Sequence, residues 1–349
     1  MSLDCDNPSL TAFLKRGHKK PNIFKRKSTY TFDYPDLFDK FEAQQQKILW
    51  TASEIEVEKD VQDLLVNMTD AESHGVREVL KLFTMYELIV GGEYWNGRFR
   101  KIFPRPEFER IASLYGYVEL GVHAPFYAKV DEALMMNTDA HYEAYKEDPA
   151  LSERIEFIEE YVTHKNPLVS IGVFSMTEGA ILYSNFSFLR HFQVNGKDYM
   201  KNTCTGITAS VKDENLHSEF GSTCFHLAKK ECLESGYMTV EEVRAVEDKL
   251  YECARKIYEH ECLIIEKIFA KGTIRGITAK QMMNFIQHRL DLVLQNLGLT
   301  AIFNPDYNPI SDWFYDDINA YKLNDFFNAG TFEYVRGYNE NKFTFGVEK

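Results

Sequence analysis

The feature that most restricts the fold of this chain is an acidic side chain inside a long apolar segment. Between Pro167 and Leu189 the only charged residue is Glu178. The segment is long enough to span a bilayer, but several Ser, Thr and Asn residues make it only moderately apolar. We therefore predict a helix that is buried on all sides inside a large protein and does not enter a membrane.

Helical periodicity dominates the rest of the sequence. Apolar residues recur at spacings of three and four from Val79 to Val90, as in an amphipathic helix. Thr239 with Glu242, and Thr278 with Gln281, are typical of capping boxes at helix starts. The pattern predicts an all-α bundle of long helices. Further helices are predicted over 108–134, 209–232, 240–269 and 279–297.

Two glutamates face the predicted interior of this bundle. Ionised carboxylates are rarely buried unless they are paired or bind a metal ion. Glu87 follows Phe83 by one helical turn and precedes Val90 by almost one, so it has the same apolar surroundings as Glu178. For either glutamate alone, a buried hydrogen bond or a local bend toward solvent is a sufficient explanation.

Two acid–imidazole pairs lie on other predicted helices. Glu214 and His217 are three residues apart and share one helix face. Both side chains can reach one metal ion, and Glu-x-x-His is the signature of carboxylate-bridged dimetal sites in helix bundles. Glu119 and His123 are four residues apart and also share a face. One pair is common by chance, whereas two pairs with two inward glutamates indicate a dimetal site.

The predicted site has hard oxygen donors and one imidazole for each of two metal ions. Such a set suits iron or manganese, and four carboxylates neutralise two divalent ions. The six cysteines lie far apart without a Cys-x-x-Cys pair, which argues against zinc, iron–sulfur and disulfide chemistry and favours a reducing, cytoplasmic location. The predicted ligands are Glu87, Glu119, His123, Glu178, Glu214 and His217.

A tyrosine follows one predicted ligand by about one helical turn. Tyr127 is four residues after His123, so its phenol would face the metals, within reach of an oxidising metal centre. The alternative is an ordinary core tyrosine with a hydrogen-bonded hydroxyl. Pro125 lies between them and should disturb the helix locally, because proline removes a backbone hydrogen bond.

At these positions the chain resembles the small, radical-generating subunit of class I ribonucleotide reductase. Glu87 falls at the family's first carboxylate ligand, which is more often Asp, and Glu178 in Thr-Glu-Gly falls at its lone glutamate. Lys-Asp-Glu-Asn-Leu-His, residues 212–217, is similar to the family's Arg-Asp-Glu-x-x-His. The resemblance implies a ferritin-like bundle with a dimetal-carboxylate core and a stable radical at Tyr127. It also implies two metal ions per chain, with iron as the first choice and manganese or a mixed centre as alternatives.

The resemblance extends to residues for radical transfer. Leu-Trp-Thr-Ala-Ser-Glu, residues 49–54, resembles the family's entry segment and makes Trp50 the candidate relay tryptophan. Asp213 would link a ligand imidazole, that of His123, to Trp50. Phe332-Glu333-Tyr334 resembles the start of the family's C-terminal tail, so Tyr334 is the candidate tail relay, with Tyr338 as the competing choice.

One departure from the family concerns the second ligand helix. The family has Glu-x-x-His there, but Leu120 stands three residues before His123, and Glu119 lies one position further back. A one-residue helix bulge could bring Glu119 to the metals, or the spacing of four could suffice without a bulge. In the third alternative one ligand is lost and the metal chemistry is altered.

Three regions and two partners follow from the pattern and the resemblance. Residues 1–30 carry a basic cluster and are expected to form a flexible arm, residues 31–310 the ferritin-like helical domain, and residues 311–349 a C-terminal segment and flexible tail. The tail would dock to a large catalytic subunit, and the chain would form a homodimer. The net charge of −13 argues against direct nucleic-acid binding.

The expected function is therefore that of the small subunit of a ribonucleoside-diphosphate reductase, an oxidoreductase that is active only with its large subunit. One alternative is another ferritin-like dimetal oxidase, which would need neither Trp50 nor an aromatic tail. A metal-storage or scaffold protein is the second, although storage cages usually assemble from shorter chains.

Overall fold

The computed structural model describes residues 20–81, 83–194 and 196–315. All regular elements in these ranges are helical and none is a strand, which confirms the all-α prediction. The α-helices are α1 (Ala43–Ile48), α2 (Asp70–Leu80), α3 (Phe83–Glu87), α4 (Arg100–Ile102), α5 (Pro106–Val118), α6 (Ala124–Ala133), α7 (Asp139–Glu143), α8 (Pro149–Val162), α9 (Pro167–Met176), α10 (Tyr183–Arg190), α11 (Lys201–Glu234), α12 (Val240–Ile268) and α13 (Ala279–Asn296).

Wider and tighter helical turns connect these helices. A last helical stretch runs over 309–315. The π-helical segments are Phe38–Glu42, Asp63–Asn67, Leu88–Phe99, Glu119–His123 and Thr177–Ile181, and the 3-10 segments are Asn22–Phe24, Ala52–Glu54, Val57–Asp60, Ala144–Glu147 and His191–Gln193.

Side-chain capping begins the two helices for which the sequence predicts it. The hydroxyl of Thr239 accepts a hydrogen bond from the backbone N–H of Glu242, and the Glu242 side chain accepts one from the N–H of Thr239. Thr278 and Gln281 form the same reciprocal pair at the start of α13. These bonds satisfy N–H groups that a helix start leaves without partners. Both predicted capping boxes are confirmed.

The apolar segment around Glu178 is the centre of the bundle. Helices α9 and α10 and the π-helical segment between them are buried along their whole length. Helix α9 packs against α11 and α12, and α10 packs against α11 and α13. The segment is therefore a core helix, as its composition predicts. Among the described residues, none of the helices combines the length and the apolarity that crossing a membrane requires.

The N-terminal end of the described chain packs onto this bundle. Residues 20–30 fall within the predicted flexible arm, yet Ile23 and Phe24 are buried. The backbone N–H of Ile23 donates a 2.9 Å hydrogen bond to the carboxylate of Glu231 on α11. This part of the arm is therefore fixed to the bundle. The rest of the predicted arm, residues 1–19, lies outside the described residues.

Candidate metal centre

Four helical elements bring the six predicted ligands to one place in the core. Glu87 ends α3, and Glu178 lies in the π-helical segment after α9. Glu214 and His217 project from α11. The remaining pair, Glu119 and His123, begins and ends a π-helical segment between α5 and α6. All six side chains are at most 5% exposed.

These side chains form two overlapping groups, and the possible ligand atoms within each group lie within 4.8 Å of one another. Glu119 and Glu214 belong to both groups, so these two carboxylates would be shared between two metal ions. Nδ1 of His123 lies 2.9 Å from Oε2 of Glu119. Nδ1 of His217 lies 2.6 Å from the other oxygen of Glu119. The first group is Glu87, Glu119, His123 and Glu214, and the second is Glu119, Glu178, Glu214 and His217.

The π-helical segment explains how Glu119 reaches the cluster. Its hydrogen bonds run from residue i to i+5, so residues four apart lie almost above each other. Glu119 and His123 therefore point to the same place, whereas Leu120 is 37% exposed and faces outward. Pro125 follows in the first turn of α6, where its missing N–H is tolerated. The local disturbance expected from Pro125 is this wide turn immediately before it.

Several inward-facing oxygen and nitrogen atoms of these six side chains lack hydrogen bonds of acceptable geometry to one another, which suits them to binding metal ions. Oε1 of Glu87, both oxygens of Glu119 and Nδ1 of both histidines are buried without a hydrogen bond of acceptable geometry. The outward Nε2 atom of each imidazole is held instead: His123 contacts Asp213 at 3.0 Å, and His217 contacts Gln45 at 3.2 Å. Such contacts orient metal-binding imidazoles and leave the Nδ1 lone pairs free for a metal. The residues present therefore fit a dimetal site that accepts iron or manganese.

The electrostatics of the six side chains favour protons on some of them. Burial raises the pKa of Glu87 well above its usual value, and the charge of Glu119 raises it further. Burial and the charge of Glu214 likewise raise the pKa of Glu178. Burial would also raise the pKa of Glu119, but the imidazoles of His123 and His217 outweigh it and hold that pKa below its usual value. Metal ions would displace these protons, because ligands bind metals in their deprotonated forms.

Two neighbours of the cluster were not predicted from the sequence. Gln45 donates a 2.7 Å hydrogen bond to Asp213 and contacts His217 through its carbonyl oxygen. The indole N–H of Trp95 donates a 2.6 Å hydrogen bond to Oε1 of Glu178. Gln45 is one of three consecutive glutamines, and nothing in the sequence distinguishes it. Trp95, an indole N–H donor eight residues after Glu87, was the stronger signal.

The predicted relay residues lie beside the His123 half of the cluster. Trp50 donates its indole N–H to Oδ2 of Asp213 at 2.8 Å. The ring centre of Tyr127 is 6.3 Å from that of His123. The Tyr127 hydroxyl is fully buried without a hydrogen bond of acceptable geometry. Burial raises the pKa of Tyr127 well above its usual value, so the phenol keeps its proton. Tyr334 and Tyr338 lie outside the described residues.

A small cavity borders the carboxylates. Its free volume is about 10 Å³, which is room for about one water molecule, so it leaves no space for an organic substrate. Its lining includes three of the six ligands, and the full set is Tyr86, Glu87, Val90, Thr177, Glu178, Ile181, Leu182 and Glu214.

A helical bundle with buried Glu and His ligands for two metals defines the dimetal-carboxylate class of proteins. Comparison with known families narrows this class. The model of one family, described as "Ribonucleotide reductase, small chain", matches residues 26–309. The chain therefore belongs to the ribonucleotide reductase small chain family, whose members are subunits of an oxidoreductase.

Individual relatives agree with this assignment. The chain is 25% identical over 325 residues to a probable ribonucleoside-diphosphate reductase small subunit of Invertebrate iridescent virus 3, covering 87% of this chain and 83% of that protein. It is 20% identical over 295 residues to a small chain of the ribonucleoside-diphosphate reductase from Arabidopsis thaliana, covering 81% of this chain and 80% of that one. The resemblance drawn from the motifs is thus confirmed.

Solved structures of similar proteins share the fold. A dimanganese(II) NrdF from Streptococcus sanguinis superposes with a TM-score of 0.70 at 19% identity, over 82% of this chain and 98% of that one. The ribonucleotide reductase Rnr4 homodimer from Saccharomyces cerevisiae also gives a TM-score of 0.70, at 17% identity, over 90% of this chain and 97% of that one. These likenesses confirm the expected ferritin-like helical bundle.

Proposed function

We propose that this chain is the radical-generating small subunit of a ribonucleoside-diphosphate reductase and that Tyr127 carries the radical. The observation that supports Tyr127 most directly is its position. Its phenol is fully buried, free of a well-formed hydrogen bond, and one turn from the proposed ligand His123. The related viral and plant proteins are described as small subunits of the same enzyme.

The six buried ligands would hold two metal ions, with iron as the first choice and manganese or a mixed centre as alternatives. When bound and treated with an oxidant, these ions supply the oxidising power that a phenol requires. The protein's part is to place the phenol and protect it. Oxidation of Tyr127 removes one electron and the proton on its oxygen, which leaves a neutral radical.

The surroundings of Tyr127 suit a long-lived radical. The ring centre of Phe83 lies 4.4 Å from that of Tyr127, and the ring centre of Phe186 lies 5.7 Å from that of Phe83. Phe126 contacts the same phenol at 5.2 Å. All of these side chains are fully buried. Such aromatic walls exclude water and small reductants from the phenol.

A hydrogen-bonded route leads from this centre toward the partner. We propose that the oxidising equivalent passes through His123, Asp213 and Trp50, which are joined by hydrogen bonds of 3.0 and 2.8 Å. Trp50 is 7% exposed, so it lies near the end of the buried part of the route. Tyr334, or Tyr338 in its place, would then pass the equivalent to the large subunit.

The remaining assignments complete this proposal. Residues 31–310 would form the domain of the radical centre, residues 1–30 an arm, and residues 311–349 the segment and tail that dock to a large catalytic subunit. We propose a homodimer, supported by the homodimeric relative from yeast, and a cytoplasmic location. An oxidase for a small organic substrate is disfavoured by the small cavity, and a storage protein does not need the Trp50–Asp213 contact.

The proposal is tested by radical formation in the full chain. Metal-free protein is loaded anaerobically with Fe(II) and exposed to oxygen, and its metal content and electron paramagnetic resonance (EPR) spectrum are recorded. A parallel sample loaded with Mn(II) tests the manganese alternative. We expect about two metal ions per chain and a tyrosyl doublet that is absent from the Tyr127→Phe variant.

Tyr115→Phe is the matched control, because Tyr115 is fully buried and packs against His217 with ring centres 4.1 Å apart. That variant should keep the doublet. A doublet that survives Tyr127→Phe and disappears in Tyr115→Phe would move the radical to the other half of the cluster. Two bound metal ions with no radical under either metal would favour the oxidase alternative.

A further inference from the structure

The guanidinium group of Arg289 joins three separate parts of the molecule. Arg289 lies on α13 and is 5% exposed. Its Nε and Nη2 atoms donate hydrogen bonds of 3.0 and 2.7 Å to the carbonyl oxygen of Gly179. Nη2 also donates to Oδ1 of Asn215 at 3.0 Å, and Nη1 donates to the hydroxyl of Tyr315 at 3.1 Å. Arginine suits this role because its donors form a rigid planar fork.

Two of these contacts are next to proposed metal ligands. Gly179 directly follows Glu178 in the π-helical segment Thr177–Ile181, and Asn215 directly follows Glu214 on α11. Arg289 thus fixes the backbone beside one ligand and a side chain beside another. The two ligands come from different elements, so a single guanidinium sets their relative position.

The packing around Gly179 leaves little freedom for this arrangement. A Cβ atom on Gly179 would lie 2.4 Å from Oγ of Ser218 and 2.5 Å from a methyl group of Val293. Val293 is one helical turn from Arg289 on the same face of α13. Helix α13 therefore presses directly on the π-helical turn that carries Glu178, and Arg289 holds the carbonyl at that point.

A second tyrosine, Tyr183, completes the environment of the Arg289 guanidinium. The Tyr183 ring lies against it, with 3.9 Å between the guanidinium carbon and the ring centre. The Tyr183 hydroxyl donates a 2.8 Å hydrogen bond to the same Asn215 oxygen that accepts from Arg289. Four of the five N–H donor positions on a guanidinium are thus matched to acceptors. This degree of satisfaction makes the position of Arg289 well defined.

The third contact of Arg289, its hydrogen bond to Tyr315, leads to the last described helical stretch, residues 309–315. Tyr315 is the last described residue of that segment, and the proposed docking tail follows it. Arg190 holds the same segment independently, because its Nη1 atom donates a 2.9 Å hydrogen bond to the carbonyl oxygen of Phe314. The segment therefore has two buried arginine anchors, of which Arg289 is the one joined to the neighbours of Glu178 and Glu214.

We propose that Arg289 is a positioning residue for Glu178 and Glu214, and that its bond to Tyr315 couples residues 309–315 to the metal centre. This inference rests on the proposed function of that centre. Energetic coupling between two sites is reciprocal. Metal binding should therefore stabilise residues 309–315, and loosening those residues at Tyr315 should weaken metal binding.

The first test compares the affinity of the full-length chain for Mn(II) in two arginine variants. Arg289→Gln should weaken Mn(II) binding by about 10- to 100-fold, as loss of groups that orient ligands usually does, and should change the EPR spectrum of the bound Mn(II). Arg289→Lys, which keeps the charge, should restore part of the affinity. Arg190→Gln is the matched control, because it removes the other anchor of residues 309–315. Arg190 lies at the end of α10, about three helical turns after Gly179 in the sequence. That variant should lower the affinity by no more than about fivefold, because it loosens the segment but leaves the bonds of Arg289 to Gly179 and Asn215 in place.

Equal losses of affinity in Arg289→Gln and Arg190→Gln would mean general loosening and would overturn the proposal, as would native affinity in Arg289→Gln. If the native chain binds no Mn(II) or Fe(II), the proposed function itself fails and the inference fails with it. If the native chain binds two ions and Arg289→Gln binds them equally well, only the inference fails.

The second test uses Tyr315→Phe, which keeps the ring and removes only the hydroxyl. Hydrogen exchange of the peptide containing residues 309–315 is measured by mass spectrometry with and without Mn(II). In the native chain we expect Mn(II) to slow exchange of this peptide, and in Tyr315→Phe we expect that slowing to be lost, with Mn(II) bound about fivefold more weakly. This variant decides the question if Arg289→Gln does not fold. Exchange that is insensitive to Mn(II) in the native chain would overturn the coupling.

Discussion

The indole N–H of Trp50 donates a 2.8 Å hydrogen bond to Oδ2 of Asp213, and the same oxygen lies 3.0 Å from Nε2 of His123. One carboxylate oxygen thus joins a buried tryptophan to an imidazole whose other nitrogen faces the carboxylates of Glu119 and Glu214. The second oxygen of Asp213 accepts a hydrogen bond from Gln45. Asp213 is therefore held on both sides, which gives a short and well-ordered connection between the cluster and Trp50.

The first prediction concerns this connection. In Asp213→Asn the amide oxygen can still accept a hydrogen bond. The amide NH₂ group, however, would face one of the donors that surround Asp213, which are Gln45, Trp50 and His123. We expect Asp213→Asn to keep the tyrosyl radical and to lower deoxyribonucleotide formation with the large subunit by about 10- to 100-fold. Trp50→Phe should behave in the same way. The measurements are EPR of the radical and turnover of the two-subunit enzyme.

Asp248→Asn on α12 is the control, because Asp248 is exposed and lies on the outer surface. It should change neither quantity. Full turnover in Asp213→Asn would remove Asp213 from the route. Loss of bound metal in the same variant would show that Asp213 acts only by holding His123.

The second prediction concerns the register of the Glu119 helix. Glu119 belongs to both ligand groups, whereas Leu120 occupies the position of the family's glutamate and faces outward in the π-helical turn. We expect the exchange Glu119→Leu with Leu120→Glu to reduce metal content from about two ions per chain to less than one. Leu120→Glu alone is the control and should bind about two ions, since that side chain is partly exposed. Metal analysis after loading decides between them, and full metal content in the exchange variant would show that the register is flexible.

How much of the site could be predicted depended on how far apart in the sequence the contacting residues are. Helix-face spacing predicted Glu214 with His217 because both belong to one regular helix. The same rule left three alternatives for Glu119, because a π-helical turn has no reliable sequence pattern. Pro125 was the local hint, since a proline after the ligand pair makes an ordinary helical turn costly there.

Contacts between distant parts of the chain were the least predictable. Gln45 and His217 are separated by 172 positions and meet only through tertiary packing. Arg289 is likewise 110 positions from Gly179. Neither residue breaks a local pattern, so a single sequence gives no reason to select it. The relay contact between Trp50 and Asp213 was anticipated only through the family resemblance.

The third prediction concerns Trp95, which contacts the second ligand group. Its indole N–H is bonded to Glu178, so Trp95→Phe would leave one carboxylate oxygen without its donor. We expect this variant to bind Mn(II) about tenfold more weakly than the native chain, measured by titration followed by EPR. Tyr94→Phe is the control on the same π-helical segment, because the Tyr94 hydroxyl is buried without a hydrogen bond and can be removed at little cost. Unchanged affinity in Trp95→Phe would mean that the metals alone orient Glu178.

The fourth prediction concerns Asp131, an acidic residue one turn beyond Tyr127 on α6. Asp131 is fully buried, its oxygens lack well-formed hydrogen bonds, and Nε2 of His141 is 3.7 Å away. Burial raises the pKa of Asp131 from 3.8 to about 7. Between these two values the folded chain holds a proton that the unfolded chain has released. The free energy of unfolding contributed by this group must therefore fall as the pH rises from about 4 to about 7.

A shift of this size corresponds to at most about 4 kcal/mol. We expect Asp131→Asn to match the native chain near pH 4 and to be more stable than it at pH 8 by about 2 to 4 kcal/mol. Urea unfolding of the metal-free protein at a series of pH values measures the difference, and subtraction removes the titration of the metal ligands. Asp139→Asn is the control, because Asp139 is exposed on the neighbouring helix α7 and should give no pH-dependent difference. A constant difference between Asp131→Asn and the native chain across this pH range would mean that Asp131 is ionised in the folded protein, paired with a protonated His141.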